Sequence, residues 1–84
     1  MKIPKRLKVG AFNMEIRMVK GLGDDGQLNG ETTILINDDL SPKEKELTLC
    51  HEIIHIINPA FTEKDVEWLS RALYQIVEDN HLLT

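Results

Sequence analysis

The chain has 84 residues, 42% of them hydrophobic and 29% charged, and its formal net charge is −4. This length predicts a single small domain over residues 1–84, and the acidic balance argues against a nucleic-acid partner. We find neither the apolar run of a signal peptide nor a stretch long enough to cross a membrane, and the lone Cys50 excludes an intrachain disulfide. We therefore expect a soluble, cytoplasmic protein, and we expect it to be a monomer.

The first half of the chain predicts strands. Arg6–Val9 and the alternating segment Asn13–Val19 flank Gly10, and they should pair as a hairpin. The β-branched segment Glu31–Asn37 predicts the next strand. The sequence thus predicts a small antiparallel sheet of about three strands.

Residues 21–30 separate these strands and predict a surface loop, because glycine and aspartate recur throughout. They contain a formal G-x-G-x-x-G pattern. It is not a dinucleotide fingerprint, since no helix follows it and Asp24 and Asp25 would repel a pyrophosphate.

Two capped helices follow. Ser41 is the predicted N-cap of the first helix, Pro42 takes its first position, and the helix should run to Ile57. Its apolar residues cover most of its circumference, so it should be buried on most sides. Thr62 should cap a second helix that ends at Asp79 or Asn80. The residues of the second helix expected to face the core are Val66, Leu69, Leu73 and Ile76. The predicted fold class is therefore α+β, with the small sheet packed on these two helices.

The first helix carries the pattern H-E-x-x-H at residues 51–55. His51 and His55 lie one helical turn apart on one face, where two imidazoles can bind one Zn²⁺. Glu52 is placed to reach a metal-activated water as a general base without being a ligand. This pattern predicts a zinc metallopeptidase helix.

A catalytic zinc site needs a third protein ligand. The short link between the helices folds the second helix back against the first, so its acidic residues become candidates. We choose Glu67, one turn into the helix, and the spacing leaves other residues open. The alternatives are Glu63, Asp65 and His81.

Two further side chains share the Glu67 face of the second helix. Ser70 is expected to steady a ligand. Tyr74 is a candidate donor to the oxyanion of a tetrahedral intermediate, although packing in the core also explains it.

The segments Leu47–Ile57 and Val66–Gln75 together resemble the small zinc peptidases known as minigluzincins and the short phage-type proteins grouped with ImmA/IrrE-like metallopeptidases. The resemblance implies a three-stranded sheet over an active-site helix and a glutamate helix. It also implies that Glu67 is the third zinc ligand, and that the strand Thr32–Ile36 is an edge to which a peptide adds. Arg71 departs from the acidic residue that gluzincins usually hold at its position.

The sequence therefore predicts a zinc-dependent metallopeptidase that hydrolyses a peptide or protein substrate. His51, His55 and Glu67 are the expected ligands, and Glu52 and Tyr74 the expected catalytic residues. The alternative is a non-enzymatic or latent zinc-binding protein that binds a partner peptide along its sheet edge.

Overall fold

The computed structural model describes residues 2–30 and 32–82, which form one sheet and two helices. The elements are β1 (Arg6–Val9), β2 (Phe12–Val19), β3 (Gly26–Asn29), β4 (Thr33–Asn37), α1 (Pro42–Ile57) and α2 (Glu63–Asp79). One small sheet and two helices confirm the predicted α+β class, although within these ranges the sheet packs on α1 alone and α2 packs on α1.

The sheet differs from the prediction in strand number and direction. It has four strands in the order β1-β2-β4-β3, and β2 and β4 run parallel to each other, with Ile16 beside Ile34. The predicted hairpin of β1 and β2 is confirmed, and β3 pairs antiparallel with β4. The chain leaves β2, returns as β3 at the far edge, and then inserts β4 between them. Alternating side chains predict that a segment is a strand but not which neighbour it pairs with, so this order was not predictable.

The additional strand, β3, lies inside the segment that the sequence predicts to be a loop. Its residues are Gly-Gln-Leu-Asn, which lack apolar alternation and include residue types that are depleted in strands. Only backbone pairing with β4 makes this segment a strand. As a consequence, β4 is an internal strand and not the edge expected for peptide binding; the edge on this side is β3.

The core lies between the sheet and α1. Ile34 and Ile36 of β4 are fully buried, and they pack with Met14 and Ile16 of β2 and Leu49 of α1. α1 packs on β4, β3 and β1 on one side and on α2 on the other. This confirms the expectation that α1 is buried on most sides.

Both helices begin where their caps predict. The Ser41 hydroxyl accepts a hydrogen bond from the Glu44 backbone N–H at 3.2 Å, and the Thr62 hydroxyl accepts one from the Asp65 N–H at 3.2 Å. Each bond satisfies one of the unpaired amides at a helix start. These caps determine where α2 begins, and therefore which acidic residues reach α1.

The buried face of α2 agrees only in part with the predicted one, since Val66 and, in part, Leu69 are buried as predicted. Val66, Ser70 and Tyr74 are buried, whereas Leu73 and Ile76 are about half exposed. Within the described part of the chain, α2 packs against α1 and against no strand. One helix can cover only one side of another, so part of the apolar surface of α2 stays in solvent.

Neither helix in the described part of the chain has the length and apolar composition of a membrane-spanning segment.

Candidate metal centre

The two histidines of α1 face each other across one helical turn. His51 Nε2 and His55 Nε2 are 3.2 Å apart, and the side chains of both residues are 19% exposed. The ring centroids are 4.9 Å apart with an interplanar angle of 64°. Each histidine thus turns a ring nitrogen toward the same point, as the i, i+4 spacing predicts.

Glu63, the first residue of α2, completes this group. Its Oε1 lies 2.6 Å from His55 Nε2, and its Oε2 lies 3.2 Å from His51 Nε2. Within the described ranges, His51, His55 and Glu63 form a candidate metal group whose ligand atoms lie within 4.8 Å of one another. Glu63 is one of the alternatives that the sequence leaves open.

The donor set fits a zinc ion. Two histidines and one glutamate are a known ligand set of catalytic zinc sites. With metal–ligand bonds of about 2.0–2.1 Å, the ligand atoms of a tetrahedral site lie about 3.3 Å apart. The separations of His51 Nε2 from His55 and from Glu63 are both 3.2 Å, whereas Glu63 Oε1 lies only 2.6 Å from His55 Nε2. Because the Glu63 side chain is 77% exposed, a shift of that side chain would let the three residues converge on one ion without a change of fold.

Glu67 does not join the group, contrary to the prediction that it supplies the third ligand. Its Oε2 is 3.1 Å from His51 Nδ1, the ring nitrogen that points away from His55. Its Oε1 is 2.5 Å from Arg71 Nε. The reason is that α2 starts beside the histidines. Its first residue, Glu63, therefore lies next to their Nε2 atoms, and Glu67 lies one turn farther along the helix. The other two candidates, Asp65 and His81, are also outside the group.

Arg71 favours the ionised form of Glu67. The guanidinium hydrogen bond is the largest of the effects that hold the pKa of Glu67 below its usual value, and the charge of His51 acts in the same direction. An ionised Glu67 can only accept a hydrogen bond, so in this contact the N–H of His51 Nδ1 donates, which leaves Nε2 with the lone pair that a metal needs. Arg71 therefore stabilises the acceptor that orients His51.

Glu52 is buried beside the metal group, with only 7% of its surface exposed. Burial raises the pKa of its carboxyl group above the usual value, His51 and His55 oppose that rise, and Glu63 and Asp24 add to it. Glu52 lines the cavity that contains His51 and Glu63. The motif prediction, a carboxylate near the metal group but not part of it, agrees with this position.

Tyr74 lies away from the metal group, which corrects its candidate role as an oxyanion donor. It is buried, and its hydroxyl donates a hydrogen bond to the Glu46 carboxylate on α1. It borders a different cavity, between the two helices. Its position three turns after the start of α2 carries it beyond the histidines, so it links the helices instead.

Ser70 also differs from its expected role. It is buried, and its hydroxyl donates to the Glu67 backbone carbonyl at 3.0 Å rather than to a ligand carboxylate. Cys50, which precedes His51, is half-buried and is not in the metal group, in agreement with its interpretation as a packing residue.

A cavity of about 560 Å³ opens in front of His51. The loop before β3 forms one wall, with Gly23, Asp24 and Asp25, and α1 and α2 form the others. Gly26 makes the close approach of β3 to α1 possible, because a Cβ on it would lie 2.5 Å from Thr48 Cγ2. The metal group is therefore accessible along the free edge of β3.

A small sheet over an HExxH helix, with a second helix that brings a glutamate to the two histidines, is the arrangement of a metallopeptidase-type domain. The family model of the IrrE N-terminal-like domain, Peptidase_M78, matches residues 6–76. The chain belongs to this family. Neither a comparison with curated proteins nor one with solved structures gave a match.

Proposed function

We propose that this protein is a zinc-dependent peptidase, with His51, His55 and Glu63 as the metal ligands. The observation that carries the proposal is the approach of Glu63 to the facing Nε2 atoms of both histidines. Three protein ligands leave one coordination position free, which is typical of catalytic and not of structural zinc. The family match supports a metallopeptidase-type domain.

The reaction is the addition of water to a peptide carbonyl. A bound Zn²⁺ supplies a Lewis acid for that carbonyl and lowers the pKa of water. Glu52 accepts a proton from the attacking water and returns it to the leaving amine. Its burial and its raised pKa suit this exchange, because a carboxyl group with a pKa nearer to neutrality both accepts and donates readily.

Glu67 and Arg71 are positioning residues in this scheme. Glu67 holds the proton of His51 on Nδ1, and Arg71 binds Glu67 and favours its ionised form. Such a carboxylate–histidine pair fixes the ring orientation and increases the basicity of the ligand nitrogen. Both residues act on the metal through His51.

The substrate is proposed to bind as an added strand on β3. This strand is an edge of the sheet, and it borders the cavity at Gly26 and Leu28, beside Glu52 and His55. A peptide that pairs with its backbone would pass directly over the metal group. The proposal assigns this role to β3 and not to β4, where the resemblance implies it, because β4 is an internal strand.

Metal analysis together with Glu52→Gln tests the proposal. We expect about one zinc per chain after dialysis, lost in His51→Ala and His55→Ala. Glu52→Gln should keep its zinc and lose about 10²- to 10⁴-fold in peptide hydrolysis. Glu15→Gln is the matched control, since Glu15 lies on β2 and pairs with Arg17, away from the cavity. Unchanged zinc content in both histidine variants would refute the metal site.

The second candidate is a latent or non-enzymatic zinc protein that holds a partner peptide on its sheet edge. The free edge of β3 favours peptide binding in either case. The two candidates differ in turnover. A wild-type protein that binds zinc and peptide, but cleaves no faster than Glu52→Gln, would be the binding protein.

A further inference from the structure

The groove along β3 extends beyond the metal group at both ends. Three adjoining cavities, of about 560, 430 and 220 Å³, follow this strand. The first two share Gly26 and Glu52, and the last two share Leu28 and His55. They therefore form one continuous groove with the metal group in its middle.

One end of the groove is acidic. Beyond the residues that serve the metal, it is lined by Asp24 and Asp25 of the loop before β3 and by Glu44 of the first turn of α1. Among the described residues that line this cavity, Arg71 is the only lysine or arginine, and its guanidinium is bound to Glu67. This end of the groove therefore attracts a cation.

A second observation concerns a carboxyl group in the same cavity. Glu52 lines the cavity, is 7% exposed, and makes no hydrogen bond or ion pair with another residue of the described ranges. Among these residues no enclosed side-chain oxygen lacks a partner, so the Glu52 oxygens open onto the cavity. A ligand that enters the groove with a donor can form a hydrogen bond to them.

The other end of the groove is apolar. The cavity of about 220 Å³ lies beside His55 and is lined by Phe12, Leu28, Ile56 and Pro59. Phe12 and Leu28 are about 40% exposed. An apolar side chain that entered here would bury both of them, which is favourable by the hydrophobic effect.

We propose that the substrate is a peptide segment with an apolar residue before the cleaved bond and a lysine or arginine after it. This inference rests on the proposed peptidase function. The order follows from the direction of β3, which runs from Gly26, beside Glu52, to Leu28, beside His55. A peptide paired antiparallel to β3, the slightly more stable arrangement, passes from the apolar end to the acidic end.

The test uses four peptides of equal length that differ around one central bond. The residues flanking this bond are Leu-Lys, Leu-Glu, Lys-Leu and Ser-Lys. We expect the zinc-loaded wild type to cleave the Leu-Lys peptide with a kcat/KM about tenfold or more above that of each other peptide. The preference for lysine over glutamate should shrink in about 1 M salt, where the Debye length is about 3 Å, whereas the preference for leucine over serine should not.

Two variants link the preferences to the ends of the groove. Asp24→Asn combined with Asp25→Asn should lower the Lys/Glu ratio of kcat/KM by about fivefold or more. Phe12→Ala should lower the Leu/Ser ratio and leave the Lys/Glu ratio as it is. Asp79→Asn is the control. It also removes a carboxylate charge, but one that lies outside the groove, and it should change neither ratio.

Binding of the same peptides to zinc-loaded Glu52→Gln separates this inference from the proposed activity. A wild type that cleaves all four peptides equally would overturn the inference and leave the peptidase proposal intact. A wild type that cleaves none, with Glu52→Gln still binding Leu-Lys about tenfold more tightly than Leu-Glu, would support the groove specificity and reject the activity. Preference for Lys-Leu over Leu-Lys would overturn the proposed direction.

Discussion

Glu67 holds the outer nitrogen of His51: its Oε2 lies 3.1 Å from His51 Nδ1, while His51 Nε2 faces His55 at 3.2 Å. One imidazole thus joins a positioning carboxylate to the metal group. Two glutamates of the same helix face therefore contact different nitrogens of His51: Glu63 approaches Nε2 and Glu67 approaches Nδ1.

The division between these two glutamates is testable by metal affinity. Glu67→Ala should weaken zinc binding about 10- to 100-fold, because it removes only the partner that orients His51. Glu63→Ala removes a ligand, so it should weaken binding further and leave less than one zinc per chain after dialysis. Competition with a chromophoric chelator measures both affinities. Asp65→Ala is the control, and a Glu67 variant that lost as much zinc as the Glu63 variant would make Glu67 the ligand.

Tyr74 should matter for stability and not for catalysis. Its hydroxyl donates to Glu46, and burial, together with this bond, raises the pKa of the phenol, so Tyr74 stays a neutral donor. Tyr74→Phe should lower the free energy of unfolding by about 1.5 kcal/mol, as expected for a hydrogen bond to a charged group. Urea unfolding measures this loss. A large fall in kcat/KM without a loss of stability would show instead that Tyr74 takes part in catalysis.

Gly26 should tolerate no side chain, because its Cβ would lie 2.5 Å from Thr48 Cγ2 and 3.2 Å from the Leu35 carbonyl oxygen. Gly26→Ala should cost about 1–3 kcal/mol of unfolding free energy by overpacking. Gly23→Ala is the matched control, since no atom lies within 4 Å of its Cβ position. Adding Thr48→Ser, which removes the clashing methyl group, should recover part of the loss; no recovery would mean that β3 is not in contact with Thr48.

Two residues of the predicted apolar stripe of α2 should differ in their contribution to stability. Val66 is fully buried, so Val66→Ala should cost about 2 kcal/mol from the lost methyl groups and the cavity that remains. Leu73 is half exposed, and Leu73→Ala should cost about 1 kcal/mol or less. Urea unfolding of the two variants compares them directly. A larger cost at Leu73 would show that Leu73 is a core residue, as the sequence predicts.

Features encoded within one or two helical turns could be predicted. The caps at Ser41 and Thr62, the bounds of α1, and the convergence of His51 and His55 depend on neighbours up to four residues away. The alternation in β2 and β4 likewise predicts strands, since period two depends only on the local backbone.

Features that depend on segments distant in the sequence could not be predicted. β3 is a strand only because β4 lies beside it, and its Gly-Gln-Leu-Asn sequence carries no strand pattern of its own. The parallel pairing of β2 with β4 follows from that insertion. The edge on this side of the sheet is therefore β3 and not β4.

The same distinction holds for the candidate metal centre. The amino-acid sequence alone predicts His51, Glu52 and His55, because a helix of known pitch brings i and i+4 together. The choice between Glu63 and Glu67 belongs to the tertiary structure, since both lie on one face of α2, one turn apart. Only the position at which α2 packs against α1 decides that Glu63 meets the Nε2 atoms while Glu67 contacts His51 Nδ1.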